Sequence, residues 1–285
     1  MKVLVTGANG QVARALAKSA PQGWDCVALC KTTCDLLSET SILSAVASHQ
    51  PDLVINAAAY TAVDRAERDE VLATTVNATA VGILKKALDR HGGRLVHISS
   101  DYVFDGTSTA PYPPSAPRTP VSAYGRSKAA GEILAGPDAL VVRTSWVYGA
   151  GGHNFVRSML RLMRERDEVR VVADQIGAPT WASGLAAALW ALAANGCKGI
   201  MHYRDAGVAS WYDFAVAIQE EALAIGLLNR AVPIVPIATS EYPTAAYRPA
   251  VAILDDTKTW EALGARPSHW RVNLRRMLKE EMALG

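Results

Sequence analysis

The chain has 285 residues, with 29 Lys and Arg against 27 Asp and Glu, and half of its residues are hydrophobic. A composition this apolar, with a formal net charge of +2, excludes a disordered or collagen-like chain and gives no electrostatic footprint for nucleic acid. The apolar start at residues 3–5 is too short for a signal sequence, and we find no run that approaches the ~18 residues of a membrane span. We therefore expect a cytoplasmic globular protein with no nucleic-acid or membrane partner, formed of one large domain or two coupled ones.

Strand-like and helical segments alternate along the first half of the chain. The sequence predicts strands at residues 2–6, 25–29, 52–56, 94–98 and 139–142. It also predicts one helix that begins near residue 12 and three more at about 41–49, 70–91 and 155–163. Short apolar strands separated by helices are typical of a parallel sheet covered on both faces. We expect an α/β protein with a Rossmann-type doubly wound sheet, whose ligands bind at the carboxyl ends of the strands.

The pattern becomes less regular after Trp146, where prolines, glycines and tryptophans are more frequent. We expect residues 1–149 to form an NAD(P)-binding domain and residues 150–285 to form mainly a smaller α/β substrate-binding domain. Segments at about 170–200, including a strand at 170–172, are candidates for a return to the main sheet.

The first predicted strand runs directly into a glycine turn. Gly7 permits a tight turn, Gly10 lets the backbone approach a pyrophosphate, and Ala13 allows close packing of the following helix on the strand. The N–H groups at a helix start, with the positive end of the helix dipole, bind anions. This turn predicts a dinucleotide site, although a purely structural turn would also explain two glycines.

The residues after the second strand bear on the choice of cofactor. An acidic residue at this position would bind the ribose 2′-hydroxyl of NAD, but the sequence has Leu29-Cys30-Lys31. Lys31 can pair with a 2′-phosphate, which favours NADPH, with NADH as the other option; the alternative is a solvated surface lysine. Asp35 and Leu36 are candidates for contact with the adenine.

A Ser, a Tyr and a Lys form the candidate catalytic group. Ser100 ends a predicted strand, and Tyr124 and Lys128 are spaced to share one face of a helix. We expect the lysine to lower the pKa of the phenol and to hold the ribose hydroxyls of the cofactor. With the Ser100 hydroxyl, these groups would stabilise an alkoxide that develops during hydride transfer.

The cysteines and histidines give no metal-binding pattern. Cys26, Cys30 and Cys34 are spaced every four residues, but we interpret them as two strand residues and one loop residue without a nearby His. Reduced thiols packed as small hydrophobic groups explain them better, and we predict no metal.

These motifs together resemble the extended short-chain dehydrogenase/reductase family, over nearly the whole chain. The resemblance rests on Thr6-Gly7-Ala8-Asn9-Gly10-Gln11-Val12, Asn56-Ala57-Ala58-Ala59-Tyr60-Thr61-Ala62-Val63-Asp64, Ser100-Asp101-Tyr102-Val103-Phe104-Asp105-Gly106, Tyr124-Gly125-Arg126-Ser127-Lys128, Arg143-Thr144-Ser145-Trp146-Val147-Tyr148-Gly149, Asp174-Gln175-x-Gly177-x-Pro179-Thr180 and Arg248-Pro249. The first blocks are widespread in nucleotide-sugar epimerases and dehydratases. The Ser-Asp-Tyr, Arg-Thr-Ser-Trp and Asp-Gln blocks are more particular to reductases.

The resemblance implies roles for residues of this chain. Tyr124 would be the acid, Lys128 the ribose and pKa partner, and Ser100 the orienting hydroxyl. Further cofactor contacts would come from Gly7, Gly10, Gln11, Val12, Ala58, Ala59 and Thr61, and substrate contacts from Ser100, Asp101, Tyr102, Trp146, Asn154 and Arg248.

Three of the implied substrate residues have ordinary structural explanations. Trp146 can be a core residue, Asn154 can cap the helix that follows it, and Arg248 can lie in a surface turn. The sequence also departs from the family pattern at three positions. Ala13 replaces a glycine and Ala252 replaces a serine. Ala15 replaces an acidic residue that in some members is linked to a magnesium-bridged dimer.

The activity that the resemblance implies is reduction of the C4 keto group of a dTDP-linked deoxysugar by NADPH or NADH. Such an enzyme would bind a nucleotide-sugar; the sequence leaves its oligomeric state open, with a homodimer as one option. The alternatives are an epimerase or dehydratase that recycles a tightly held NAD, and a non-catalytic dinucleotide-binding regulatory subunit. Because Ser100, Tyr124 and Lys128 are all present, the sequence favours an enzyme.

Overall fold

The computed structural model describes residues 1–284 as an α/β protein. Its strands are β1 (Lys2–Thr6), β2 (Asp25–Leu29), β3 (Leu53–Asn56), β4 (Arg94–Ser100), β5 (Leu140–Thr144), β6 (Val147–Tyr148), β7 (Val169–Val172), β8 (Ile176–Gly177), β9 (Thr180–Trp181), β10 (Gly199–His202), β11 (Ala209–Ser210) and β12 (Ile234–Ile237). Its helices are α1 (Gln11–Lys18), α2 (Glu39–His49), α3 (Val63–Ala66), α4 (Glu70–Thr74), α5 (Ala80–Asp89), α6 (Ala123–Ala135), α7 (Phe155–Glu165), α8 (Ala182–Ala194), α9 (Trp211–Ala224), α10 (Thr257–Leu263) and α11 (Trp270–Met282). A π-helical turn (Thr75–Thr79) and two 3₁₀ turns (Asp101–Val103 and Thr239–Glu241) complete the elements.

Six parallel strands form the central sheet in the order β10-β5-β4-β3-β1-β2. Successive residues of β1 are buried on opposite faces, with Val3 and Val5 in one core cluster and Leu4 in the other. Covering on both faces explains why these strands are continuously apolar. The predicted doubly wound α/β fold is therefore confirmed. The strand order reverses beside β1, which opens a crevice at the carboxyl ends of β1 and β3.

The second half of the chain forms a separate core and also adds a helix and a strand to the central sheet domain. Helices α7, α9 and α11 enclose a separate core with β7, and Phe214 is fully buried in it. The strand at 170–172 does not return to the main sheet; β7 pairs in parallel with β12. Instead, α8 packs against α1, and β10 adds to the sheet edge beside β5.

The helix predicted at 70–91 is interrupted by the π-helical turn. This turn carries Asn77, whose buried side chain hydrogen-bonds to Tyr60 and Ser127 rather than facing solvent. The stretch from Glu70 to Asp89 is long and apolar enough to cross a membrane by length and composition alone. Half of it is buried inside the protein, where α5 packs against α2 and α4 against α6, as in a core helix of a globular domain.

Only one of the three early cysteines lies in a strand. Cys26 belongs to β2, whereas Cys30 follows the strand and Cys34 is buried in the next turn. The prediction of a second strand cysteine was therefore wrong, because β2 ends at Leu29. Within residues 1–284, no group of three or more His, Cys, Asp or Glu side chains is placed to hold a metal ion.

Candidate active site at the carboxyl edge of the sheet

A cavity of about 730 Å³ lies at the carboxyl ends of the central strands, where the strand order predicted a ligand site. The structure brings most of the predicted residues to its wall: Gly7, Gly10, Gln11, Val12, Lys31, Ala58, Ala59, Thr61, Ser100, Asp101, Tyr102, Tyr124, Lys128 and Trp146. Asp35, Leu36, Asn154 and Arg248 are not among the residues that line it.

The glycine turn between β1 and α1 fits a diphosphate. Gly7 has a φ of +78°, and a Cβ added to it would lie 2.8 Å from the Cα of Ala58, so only glycine is accommodated. Gly10 occupies the N-cap of α1 and offers no side chain to the first N–H groups of the helix. These groups border the cavity and are available to an anionic ligand, so the turn suits the diphosphate of a dinucleotide.

Two cations stand at the end of the cavity beside β2. Lys31 was predicted there; Arg14, on α1, was missed although it directly follows the small residue Ala13. Cys30 lines the same corner, and hydrogen bonds with two threonines lower its thiol pKa to about 7. A corner with two cations and without a carboxylate in its lining suits a phosphate group better than a ribose hydroxyl.

Asp35 and Leu36 are used by the protein itself. The Asp35 carboxylate accepts a hydrogen bond from the backbone of Leu37, which closes a local turn. Leu36 is buried in the core between α2 and the sheet. Neither residue lines the cavity, and an adenine contact by Asp35 or Leu36 stays a prediction.

Tyr124 lies in the first turn of α6, held close to the end of β4. Ser122 caps this helix by accepting from the Gly125 N–H, and a Cβ on Gly125 would lie 2.2 Å from the Tyr102 carbonyl oxygen. This close approach places the Tyr124 ring edge-on to Tyr102, with 5.3 Å between ring centroids. Glycine at position 125 thus lets α6 contact the turn that carries Asp101.

The electrostatics of Tyr124 differ from the prediction. Burial raises its pKa to about 12, a hydrogen bond with Ser100 opposes the rise, and the Asp101 carboxyl adds to it. The expected net lowering of the phenol pKa was wrong, because Tyr124 is only 8% exposed and the desolvation of tyrosinate dominates. At neutral pH the phenol is protonated, which is the state that a proton donor requires.

Lys128 is one helical turn beyond Tyr124 and is 2% exposed. Its ammonium donates to the Ile98 carbonyl oxygen at 2.7 Å, which fixes the side chain against β4 beneath the cavity. Burial lowers its pKa to about 8, while Glu132 acts in the opposite direction. The lysine therefore carries a positive charge at neutral pH and loses it in mildly alkaline solution.

Ser100 and Asp101 form a buried pair beside the Tyr124 phenol. The Ser100 hydroxyl donates to Asp101 Oδ1 at 2.9 Å and accepts from the Tyr102 N–H at 3.3 Å. Burial raises the pKa of Asp101 to about 7, so this carboxyl titrates in the physiological range. Two hydroxyl groups, from Ser100 and Tyr124, thus border the cavity at one point, where they can bind a carbonyl oxygen.

Asn77 is a supporting residue that sequence reasoning missed. Its side chain accepts from the Tyr60 N–H at 2.8 Å and donates to the Tyr60 carbonyl and the Ser127 hydroxyl. Ser127 in turn donates to the Tyr124 carbonyl oxygen. The π-helical turn lets Asn77 join the loop after β3 to α6, and such turns often occur at functional sites.

A second cavity, of about 850 Å³, lies between α7, β7 and the segment after β12. Trp211 lines both cavities, and Trp146 stacks on it with centroids 3.4 Å apart and planes within 7°. Trp146 has a φ of +47°, a costly conformation for a bulky residue. The tryptophan pair therefore lies where the two cavities meet, and it also packs against the core formed by α7, α9 and α11.

Arg248 lines this second cavity and pairs with Asp64. Asn154 lines neither cavity: it caps α7 by accepting from the Arg157 N–H, and its amide donates to Gln11 Oε1 at 2.7 Å. The capping explanation of Asn154 therefore fits the geometry. Its contact with Gln11 nevertheless joins α7 to the start of α1.

Comparison with known proteins identifies the family. The model of the RmlD substrate binding domain family matches residues 1–283. The chain belongs to this family. It is 46% identical over 285 residues to a dTDP-4-dehydrorhamnose reductase of Burkholderia thailandensis, which covers 95% of this chain and 96% of that protein.

Two further relatives describe the range of this family. A probable dTDP-4,6-dihydroxy-2-methyloxan-3-one 4-ketoreductase of Streptomyces antibioticus is 39% identical over 294 residues, covering 99% of this chain and 96% of that protein. The crystal structure of dTDP-4-dehydrorhamnose reductase from Bacillus anthracis in complex with NADP is similar with a TM-score of 0.92 and 34% identity. The similarity covers 98% of this chain and 99% of that one.

Proposed function

We propose that this chain reduces the C4 keto group of dTDP-4-dehydro-L-rhamnose with NADPH and so forms dTDP-L-rhamnose, within dTDP-rhamnose biosynthesis. The observation that carries the proposal is the buried Tyr124 phenol, which borders with the Ser100 hydroxyl a cavity that begins at a glycine turn. The names of the relatives, and the NADP complex of one of them, support the choice of reaction and cofactor.

The residues of the first cavity fit a nicotinamide dinucleotide. The start of α1 and Gly10 would hold the diphosphate, and Arg14 with Lys31 would bind a 2′-phosphate. Ala58, Ala59 and Thr61 line the wall beside the turn, and Lys128 would hold the nicotinamide ribose. When bound, the cofactor supplies a hydride to the C4 carbon of the sugar.

Ser100, Tyr124 and Lys128 would carry out the proton chemistry. The hydroxyls of Ser100 and Tyr124 bind the C4 carbonyl oxygen and orient the keto group. As negative charge develops on that oxygen, Tyr124 transfers its phenolic proton to it. The Lys128 charge stabilises the tyrosinate that remains until a proton from solvent restores the phenol.

The second cavity would hold the nucleotide part of the substrate. A sugar held at the Trp146–Trp211 pair, where the two cavities meet, would reach Tyr124 while the nucleotide lies between α7 and β7. Asp101, Tyr102 and Trp146 would border the sugar, and Arg248 would lie on the nucleotide side. We accordingly assign residues 1–149 to cofactor binding and residues 150–285 mainly to substrate binding, with α8 and β10 added to the first part.

A cytoplasmic homodimer is the setting that we propose. Cys26, Cys30, Cys34 and Cys197 are all free thiols, as expected in a reducing compartment. Size-exclusion chromatography with light scattering would measure the assembly.

The decisive experiment follows NADPH absorbance after addition of enzymatically prepared dTDP-4-dehydro-L-rhamnose, with the product identified by mass spectrometry and NMR. We expect one NADPH consumed for each dTDP-L-rhamnose formed. No consumption with this substrate, but consumption with another dTDP-4-keto sugar, would move the proposal towards the activity named for the Streptomyces relative. NAD released on denaturing the purified protein would favour an epimerase or dehydratase instead.

A further inference from the structure

Glu132 is the centre of a buried hydrogen-bond network below the candidate active site. It lies on α6 and is 3% exposed. Its Oε1 accepts from Ser99 Oγ at 2.6 Å and Arg143 Nε at 2.8 Å, and its Oε2 accepts from Arg143 Nη2 at 2.7 Å and Arg118 Nε at 2.6 Å. A buried ion pair of this kind is no general source of stability, since apolar side chains often replace it without loss. Its position relative to the catalytic group offers a more specific explanation.

The network attaches the catalytic helix to the strand that carries Ser100. Tyr124, Lys128 and Glu132 follow one another at intervals of four residues and so share one face of α6. Lys128 bonds to the Ile98 carbonyl, and Glu132 bonds to Ser99, the residue before Ser100. Two adjacent turns of α6 are therefore fixed to consecutive parts of β4. This double attachment sets the distance between the Tyr124 phenol and the Ser100 hydroxyl.

Glu132 also supplies the negative charge that acts on Lys128. Burial alone lowers the lysine pKa, and Glu132 is the group that raises it. The other titratable neighbour, His97 on β4, is neutral because burial and the Lys128 charge hold its pKa low. Tyr124, on the same side of the cavity, is neutral below its pKa of about 12. The Asp101 carboxyl raises the pKa of Tyr124.

The groups that face Glu132 from the other elements are positively charged or neutral. Arg143 comes from β5 and Arg118 from the loop before α6, and both pair with the carboxylate. His202 on β10 contacts Arg143, and burial lowers its pKa to about 3, so it is neutral. Removal of the carboxylate would leave Arg143 buried and unpaired by an acid, which would further disfavour the Lys128 charge.

We propose that Glu132 is a positioning residue of this enzyme, which fixes α6 to the end of β4 through Ser99 and lies one helical turn beyond Lys128 on the same face of the helix. The proposal rests on the proposed function, in which Lys128 holds the cofactor ribose and Tyr124 donates the proton. It predicts two separable effects: one on turnover through position, and one on the pH dependence of cofactor binding through charge.

The test compares Glu132→Gln and Ser99→Ala with a matched control. Glu70→Gln is that control, since Glu70 also pairs with an arginine of α6, Arg126, but on the exposed surface. For each variant, NADPH affinity would be measured across pH by cofactor fluorescence. Turnover with the keto sugar and thermal unfolding would be measured in parallel.

In Glu132→Gln we expect the alkaline loss of NADPH affinity to begin about one pH unit lower than in the wild type, because Lys128 is more easily deprotonated. In Ser99→Ala, which keeps the carboxylate, we expect kcat to fall about tenfold with the pH dependence of binding unchanged. Glu70→Gln should match the wild type in both measurements.

Wild-type pH dependence in Glu132→Gln together with wild-type kcat in Ser99→Ala would overturn the proposal. If Glu132→Gln fails to fold, Ser99→Ala decides alone, since normal turnover in that variant would exclude a positioning role. A wild-type protein that binds NADPH but reduces no keto sugar would refute the proposed function instead. The shift in the NADPH binding profile would then still test the role of Glu132.

Discussion

Arg248 and Asp64 form a bidentate ion pair across 184 residues of the chain. Arg248 Nη2 lies 2.7 Å from Asp64 Oδ2, and Arg248 Nη1 lies 3.1 Å from Asp64 Oδ1. The Ala246 N–H donates to the same carboxylate. Asp64 follows the loop that borders the cofactor cavity, whereas Arg248 lines the second cavity. The pair therefore connects the walls of the two cavities.

Arg248→Ala should raise KM for the nucleotide-sugar about tenfold and leave the KM for NADPH unchanged, because Arg248 lines the second cavity and not the first. Steady-state kinetics with each substrate varied in turn would measure both constants. A double-mutant cycle with Asp64→Asn should show strong non-additivity, as expected for residues in one pair. Additive effects would mean that each residue acts independently of the other.

The same pair should not titrate in the physiological range. The hydrogen bond from Arg248 lowers the pKa of Asp64, so the contribution of the pair is present above the ordinary carboxyl pKa and is lost only as pH falls through the lowered value. Between about pH 6 and pH 8, we therefore expect ionisation of Asp64 to cause no change in the KM for the nucleotide-sugar. Asp64→Asn, which cannot titrate, is the comparison: its KM profile over this range should run parallel to that of the wild type.

Tyr124→Phe should lower kcat by about 10²–10⁴-fold, because it removes the proton donor while preserving the buried ring. NADPH affinity should remain within about twofold of the wild type, since the Lys128 contact with β4 is unaffected. Stopped-flow absorbance and cofactor fluorescence would measure the two effects. Near-normal turnover in this variant would remove Tyr124 from the acid role.

Lys31→Ala and Arg14→Ala should each weaken NADPH binding about tenfold and affect NADH much less, because each removes a cation near the predicted 2′-phosphate. The ratio of kcat/KM for the two cofactors is the measurement. Lys198→Ala removes an exposed cation that pairs with Asp138 far from the cavity, and it serves as the control. Equal losses with NADPH and NADH would place the cations elsewhere than at a 2′-phosphate.

Gly7→Ala should prevent cofactor binding and destabilise the fold. Gly23→Ala is a matched control, because Gly23 has a φ of +81° but an added Cβ would have nothing within 4 Å, whereas at Gly7 it would collide with Ala58. The control variant should lose about 1 kcal/mol of unfolding free energy from backbone strain alone. Denaturant unfolding should show a larger loss for Gly7→Ala, and equal losses would show that the contact with Ala58 is relaxed.

Local patterns in the sequence predicted the sheet and much of the first cavity. The glycine turn and the spacing of Tyr124 and Lys128 depend on a few neighbouring residues, so they can be interpreted without the fold. The direction of the Tyr124 pKa could not be predicted, since it depends on burial by Tyr102 and the turn around Asp101.

The features that sequence reasoning missed depend on distant residues or on irregular backbone. The π-helical turn at Asn77 lies inside an otherwise ordinary helical pattern, and its partners Tyr60 and Ser127 come from two other segments. The four hydrogen bonds of Glu132 likewise come from β4, β5 and a loop, which no spacing in the sequence brings together.

The strand β10, which completes the sheet beside β5, lies more than fifty residues after β5 in the chain and is therefore synthesised later. A nascent chain that has emerged only to residue 149 leaves β5 as an open edge strand, because its neighbour at 199–202 does not yet exist. Helix α1 also lacks the α8 surface on which it packs. Unpaired edges of this kind favour aggregation, so termination of translation near the midpoint should yield an insoluble fragment rather than a free cofactor-binding domain.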